Sequence, residues 1–182
     1  DAETTSLFIQ NIADIFRYNL KSLDELVPLS DELEFVSNYM SILKMRFGER
    51  IAYEYNIDKD SLGIKIPRIT LQPIIENAYI HGLQNLERNG TIRLETKVEN
   101  EVLLISIEDD GMGMTKEQVD NLINEDNAEE TAVENSNKHL SGIGVSNVIK
   151  RLKLSFQVEE NQKIIDIVST LGKGTKVILS LP

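Results

Sequence analysis

The 182-residue sequence sets 30 Asp and Glu against 19 Lys and Arg, for a net charge of −11. It has no cysteine and only two histidines, His81 and His139. That composition excludes a disulfide scaffold, cysteine zinc sites, thiol catalysis and a multi-histidine metal centre, and so negative a surface argues against generic nucleic-acid binding. The 41% hydrophobic content fits one folded domain, or one domain with a helical extension. No apolar run approaches the roughly 20 residues of a membrane span. A start at Asp1 rather than Met leads us to expect a fragment of a longer protein.

Phe8, Ile12, Ile15, Phe16, Leu20 and Leu23 recur at spacings of three and four, predicting an amphipathic helix. Val27-Pro28-Leu29-Ser30 breaks it. Ser30 is the expected N-cap of a second helix, with Asp31 and Glu32 complementing its dipole and Gly48 ending it. Val36, Tyr39, Met40, Leu43 and Phe47 form its apolar stripe. The period then changes to two, and Ile51, Tyr53, Tyr55 and Ile57 predict a half-buried strand. A turn-like stretch, 58–67, leads into a helix over roughly residues 70–83, where Pro73 is tolerable only near the first turn. Asn89-Gly90 has the composition of a hairpin turn. Strands follow at 91–98 and 102–108, the second apolar on both faces like a central strand. Thr115 and Gln118 form a capping box for a short helix to about Asn124. Residues 125–141 have almost no large apolar side chains, so a long mobile loop is expected there. Val145, Val148, Ile149 and Leu152 predict another helix, and strands near 164–169 and 175–181 close the chain. Such a mixture predicts an α+β fold, a two-layer sandwich.

Four segments could carry chemistry. In Leu71–Gly82, Asn77 and His81 stand four apart on one helix face. The Asn77 carbonyl is a hard oxygen ligand of the kind Mg²⁺ takes alongside phosphate oxygens, although a polar pair on a helix also reads as a solvated face. Asp109-Asp110-Gly111-Met112-Gly113 ends the central strand. A carboxylate there can accept from an exocyclic amine such as that of adenine, and Gly111 and Gly113 let backbone approach a flat ligand; an acidic turn is the plainer reading. Gly142-Ile143-Gly144-Val145-Ser146-Asn147 opens a helix whose amides could hold phosphate, yet it departs from the dinucleotide fingerprint because position 147 is Asn. Gly172-Lys173-Gly174-Thr175 is first a hairpin turn and second a ligand contact. Order and spacing raise the whole above its parts: Asn77 lies 32 residues before Asp109, and Gly113 lies 29 before Gly142.

In these residues the chain resembles the ATP-binding region of sensor histidine kinases of the GHKL superfamily, in particular the LytS/YesM-like kind. Glu76-Asn77-Ala78 with His81-Gly82 resembles the N-box, Asp109-x-Gly111-x-Gly113 the first glycine box, Gly142–Val148 with Arg151-Leu152 the second, and Gly172-x-Gly174-Thr175 the terminal element. Phe16-Arg17-Tyr18, Asp31-Glu32-Leu33, Tyr39 and Arg46-Phe47-Gly48 resemble the linker helices. The resemblance implies a GHKL-type fold, a mixed and mostly antiparallel sheet with helices on one face. It also implies a helical segment, 1–48, remaining from a dimerisation and phosphotransfer region, ahead of an ATP-binding catalytic domain, 49–182. It further implies that Asp109 takes the adenine amine with help from Thr175, that Asn77 binds Mg²⁺ carrying the triphosphate, and that Gly142 and Gly144 with the following amides support the phosphates. His81 would lie near the phosphates, and Glu76 would orient a proton acceptor or water. ATP, Mg²⁺, a response regulator and a second copy, joined through upstream helices, are the implied partners. The domain would be cytoplasmic, in a parent anchored in the bacterial cell membrane.

Three departures from the family pattern bear on function. Ile80 stands where many relatives carry a phosphate-contacting lysine. Pro73, four residues before Asn77, stands where the superfamily's ATP hydrolases carry a catalytic glutamate, which argues against fast hydrolysis. The phosphoacceptor histidine of the family belongs to a helix before Asp1, and neither His81 nor His139 has that context.

Overall fold

The computed structural model describes residues 13, 18, 25–47, 50–84, 86–123, 143–159 and 162–182. The expected mobile loop at 125–141, His139, Gly142, Gly48 and all of the first helix except Ala13 and Tyr18, both helical, lie outside the described residues.

The elements run β1 (Leu26–Pro28), α1 (Leu29–Phe47), β2 (Ile51–Ile57), a 3₁₀ turn (Lys59–Ser61), β3 (Lys65–Pro67) and α2 (Leu71–Asn77). A π-helical turn (Ala78–Leu83), β4 (Gly90–Glu99), β5 (Val102–Asp109), α3 (Lys116–Ile123), α4 (Ile143–Ser155), β6 (Ile165–Thr170) and β7 (Gly174–Leu181) complete the series. Five strands form one sheet in the order β2-β4-β5-β7-β6, with β5 central as its composition predicted. Only β2 with β4 is parallel, and the other three pairings are antiparallel. The sheet is therefore mixed and mostly antiparallel, and the α+β sandwich expected from the sequence is what forms. Strands β1 and β3, too short to read from the sequence, make a separate two-stranded sheet.

One face of the sheet is apolar. Ile92, Leu94, Leu103, Ile105, Ile107 and Leu179 are buried in one cluster with Val36 and Met40 of α1, Leu71, Ile74 and Ile75 of α2, and Val145, Val148 and Leu152 of α4. Each such side chain contributes about 1.5–3 kcal/mol of burial. The cluster crosses the boundary expected at residue 48, because α1 supplies part of it. On the opposite face Glu54, Arg93, Glu108 and Lys176 are register neighbours across four adjacent strands. Their charges alternate, with Arg93 Nε 2.8 Å from Glu54 Oε2 and Lys176 Nζ 3.1 Å from Glu108 Oε2. That exposed ladder resists edge-on and face-on aggregation more than it adds stability.

Three local expectations change. Asn89-Gly90 is not a hairpin turn, because Gly90 already begins β4 and the neighbour of β4 on that side, β2, runs parallel to it. The tight hairpin turn is Asn100-Glu101, between β4 and β5, with φ of 51° and 64°. Two consecutive left-handed residues are the signature of a type I′ turn, whose twist matches that of the strands. Ser30 does not cap α1 from outside. The helix begins one residue earlier, where the Leu29 and Ser30 amides donate to the carbonyls of Ile64 and Leu62 at 2.8 and 3.1 Å. The third change is in the 70–83 helix, which leaves α-helical geometry at Ala78 and finishes as a π turn; the Gln84 N–H donates to Tyr79 O, five residues back, at 2.8 Å. The capping box is as expected, with Thr115 N–H to Gln118 Oε1 at 2.8 Å and Gln118 N–H to Thr115 Oγ1 at 3.2 Å.

Candidate functional site

The site is built where the C-terminal end of β5 meets the π turn. Alternation along β5 sends Asp109 to the apolar face, and it is only 5% exposed. Burial, the largest influence, pushes its carboxyl up to about 6, while the N–H groups of Gly111 and Thr175 hold it down. Gly111 donates to Oδ1 at 2.9 Å. Asp110, one residue on, is spent on structure: Oδ1 accepts from Thr91 N–H at 2.8 Å and Oδ2 pairs with Arg88 at 3.0 Å. The double-acid motif thus divides into a buried carboxylate with acceptor capacity to spare and a partner that fastens the entry to β4.

Glycines bring the two elements together. A Cβ on Gly82 would lie 2.5 Å from Asp109 Oδ1, and one on Gly111 would lie 2.3 Å from Gly82 O. Only without side chains there can the π turn rest against the end of β5. Met112 N–H then donates to Gly82 O at 2.9 Å. Such π turns are rare and collect at functional sites. Gly113 and Gly174 have φ of 65° and 105°, and their Cβ atoms would strike Thr170 O and Asp109 O. The close approaches seen at Gly111 and Gly113 are therefore to the chain's own backbone.

Thr175 is the register partner of Asp109 across β5 and β7, so the two side chains stand together. Ser169, for which no role was expected, supports the pair: its Oγ lies 2.8 Å from Thr175 Oγ1 and 2.7 Å from the Met114 amide it accepts from. Asn77 is the last residue of α2 and is half-buried, and its side chain makes no hydrogen bond among the described residues. His81 is exposed on the π turn, its pKa lowered by desolvation. Glu76 turns to the other side of α2. It accepts from Gln72 Nε2 at 2.8 Å and lies beside Tyr39 of α1, whose phenol pKa is raised by burial first and by Glu76 second. Gly144 lies in the first turn of α4, against α2. A Cβ there would make only ordinary contact, 3.4 Å from Pro73 Cβ, so packing does not demand a glycine. The fold thus brings together Asp109, Thr175, Gly111 and Gly113, with the π turn against them, and leaves Glu76 beside Tyr39 of α1.

Among the described residues no group of three or more His, Asp or Glu gathers as a metal cage. What the site offers a cation is the unengaged Asn77 oxygen, the kind of single ligand that suits Mg²⁺ when phosphates complete its shell. The acceptor capacity left on Asp109, beside Thr175, suits an amine donor.

The sequence pattern of the histidine kinase-, DNA gyrase B-, and HSP90-like ATPase family matches residues 65–182, and that of the histidine kinase family matches residues 1–51. The chain belongs to the histidine kinase-, DNA gyrase B- and HSP90-like ATPases. It is 33% identical over 184 residues to the sensor protein LytS of Oceanobacillus iheyensis, covering 100% of this chain and 30% of that protein. It is 31% identical over 182 residues to the sensor histidine kinase BtsS of Escherichia coli K12, covering 100% and 28%. The chain thus spans less than a third of the length of these relatives. Among solved structures, the catalytic domain of histidine kinase ThkA superposes with a TM-score of 0.61 at 13% identity, over 87% of this chain and 96% of that one. The histidine kinase domain of Erythrobacter litoralis EL346 superposes with a TM-score of 0.55 at 17% identity, over 98% and 74%. At such identities these likenesses show the fold.

Proposed function

We propose that this chain is the ATP-binding catalytic part of a sensor histidine kinase. It holds Mg-ATP and presents the γ-phosphoryl to a histidine on a helix preceding Asp1, from which the phosphate passes to an aspartate of a response regulator. The observation that carries the reading is Asp109: a buried carboxylate with unspent acceptor capacity, beside Thr175, against a π turn that glycines allow to come close. Asp109 accepts from the adenine amine. Asn77 supplies one oxygen to a Mg²⁺ whose remaining ligands are phosphates and water, and the metal neutralises charge on the triphosphate. Gly142 and Gly144 support the phosphates through backbone amides, and His81 lies beside them. Glu76, held by Gln72 and Tyr39, acts from behind Asn77. Catalysis is chiefly positioning and charge neutralisation. Residues 1–48 continue a dimerising phosphotransfer region, 49–182 form the catalytic unit, and the parent is a membrane-anchored sensor with this part in the cytoplasm; among the described residues no helix is long and apolar enough to cross a membrane.

Calorimetric titration with Mg-ATP tests the binding step. Adding the histidine-bearing helix with γ-labelled ATP tests transfer, which should give acid-labile, base-stable label on that helix and none on this chain alone. Steady phosphate release without transfer would instead make the chain an ATP hydrolase, and failure to bind ATP would leave a non-catalytic dimerisation module.

A further inference from the structure

Glu32 is a carboxylate with 0% exposure. It lies in the apolar stripe of α1, three residues after Leu29 and four before Val36, yet every bond it makes leaves α1. Its oxygens accept from three successive amides leading into α2: Ile69 N–H at 2.6 Å, Thr70 N–H at 2.8 Å and Leu71 N–H at 3.1 Å. A fourth donor is the Tyr18 hydroxyl, at 2.5 Å. Tyr18 belongs to the segment ahead of α1. Its ring stacks on Phe35 of α1, with centroids 4.3 Å apart, and the buried Arg68 guanidinium covers its other side at 3.7 Å.

The first of the capped residues is strained. Ile69 has φ of 54°, a conformation a β-branched residue adopts only when its surroundings impose it. Both of its peptide groups are held: the N–H by Glu32, and the carbonyl by Arg151 Nη2 of α4 at 2.6 Å. Two turns along α1, Tyr39 faces Glu76, next to Asn77. The linker helix thus grips α2 at its start and near its end, and α4 joins the grip at Ile69.

We propose that Glu32 is a positioning residue for the nucleotide site: its cap on residues 69–71 fixes where α2 places Asn77 and the π turn, and its bond to Tyr18 ties that placement to the segment ahead of α1. A shift of the segment carrying Tyr18 that drew its hydroxyl away would remove one donor from Glu32, loosen the strained Ile69 and let α2 move, changing the site without any contact to nucleotide. The coupling is reciprocal, so nucleotide held at Asn77 would tighten the joint in return. This inference rests on the nucleotide-binding reading above.

Glu32→Gln and Tyr18→Phe, made in this chain, test it against Ile165→Ala, a core change at the opposite end of β6 from Ser169 that lowers stability without touching the joint. Mg-ATP affinity is measured by calorimetry at a temperature where every variant is folded, and amide exchange is followed at 69–71 and 77–83. Glu32→Gln should weaken Mg-ATP binding tenfold or more and speed exchange at both stretches. Tyr18→Phe should do the same in smaller measure, and Ile165→Ala should leave affinity within twofold of wild type. Wild-type affinity and unchanged exchange at 77–83 in Glu32→Gln would overturn the proposal and leave Glu32 a plain helix cap, as would an equal affinity loss in Ile165→Ala. If the wild-type chain binds no Mg-ATP, the proposed function fails, and the exchange at 77–83 alone decides the inference.

Discussion

Two buried carboxylates, Glu32 and Asp109, sit at opposite ends of the stretch that carries α2 and the π turn, and their hydrogen bonding differs. Glu32 is saturated, with four donors on its two oxygens. Asp109 receives Gly111 N–H at 2.9 Å, and its pKa rises to about 6 because burial outweighs the donors it has. Burial costs a carboxylate its hydration; full hydrogen bonding returns much of it, and partial bonding leaves the group primed for another donor. The same chemical group is thus saturated within the fold at one corner and, on the function proposed above, a receptor at the other. The deciding feature is the count of donors around each, since both are buried.

The comparison breaks first at Glu32. Glu32→Ala strands three amides in a buried strained corner, and unfolding by denaturant should show a loss of about 3–5 kcal/mol, the scale of breaking a buried charged network. A loss below about 1 kcal/mol would mean that water replaces the cap.

At Asp109 the sign should reverse. In the nucleotide-free chain at pH 7, Asp109→Asn should stabilise by on the order of 2–3 kcal/mol, since a shift from 3.8 to about 6 reflects the cost of holding the charge there. The raised pKa contributes stability that is complete below the ordinary carboxylate range and is lost as pH rises through about 6. The gap in Tm between Asp109→Asn and wild type should therefore be near zero at pH 4 and widen to pH 7. A gap independent of pH would show that Asp109 is not the titrating group. The same variant should weaken ATP binding by about 1–3 kcal/mol, because an amide donor would then face adenine's own donor. Calorimetry showing wild-type affinity would remove Asp109 from the site.

Asn77→Ala should leave stability nearly unchanged, because that side chain bonds to nothing among the described residues. It should weaken Mg-ATP and abolish most of the gain in ATP affinity that Mg²⁺ gives. If a Mg²⁺ titration still strengthens ATP binding by the wild-type factor, another residue holds the metal.

The smallest effect belongs to a third carboxylate, Glu108, adjacent to Asp109 but on the charged face of the sheet. Glu108→Gln should move Tm by no more than about 2 °C and leave ATP affinity alone. A larger change would mean that the ladder is coupled to the site behind it.

The sequence by itself determined the secondary elements with long periodic stripes, the central place of β5 and the capping box at Thr115, and it singled out Asp109 and Thr175, which β5 and β7 set side by side. These follow from side-chain period and from turn residues, which are local properties of the chain. Glu32 was legible in part, for an acid inside an apolar stripe signals a buried partner, but it read as a dipole-complementing residue of its own helix because its partners lie 37 to 39 residues away. Tertiary structure alone decided that partner, the strain at Ile69, the π turn at Ala78–Leu83, the parallel pairing that makes Asn89-Gly90 the entry to a strand, and the direction Glu76 faces. Each depends on two segments meeting across the core, where desolvation and hydrogen-bond supply are set by both sides at once, and no local pattern encodes the second side.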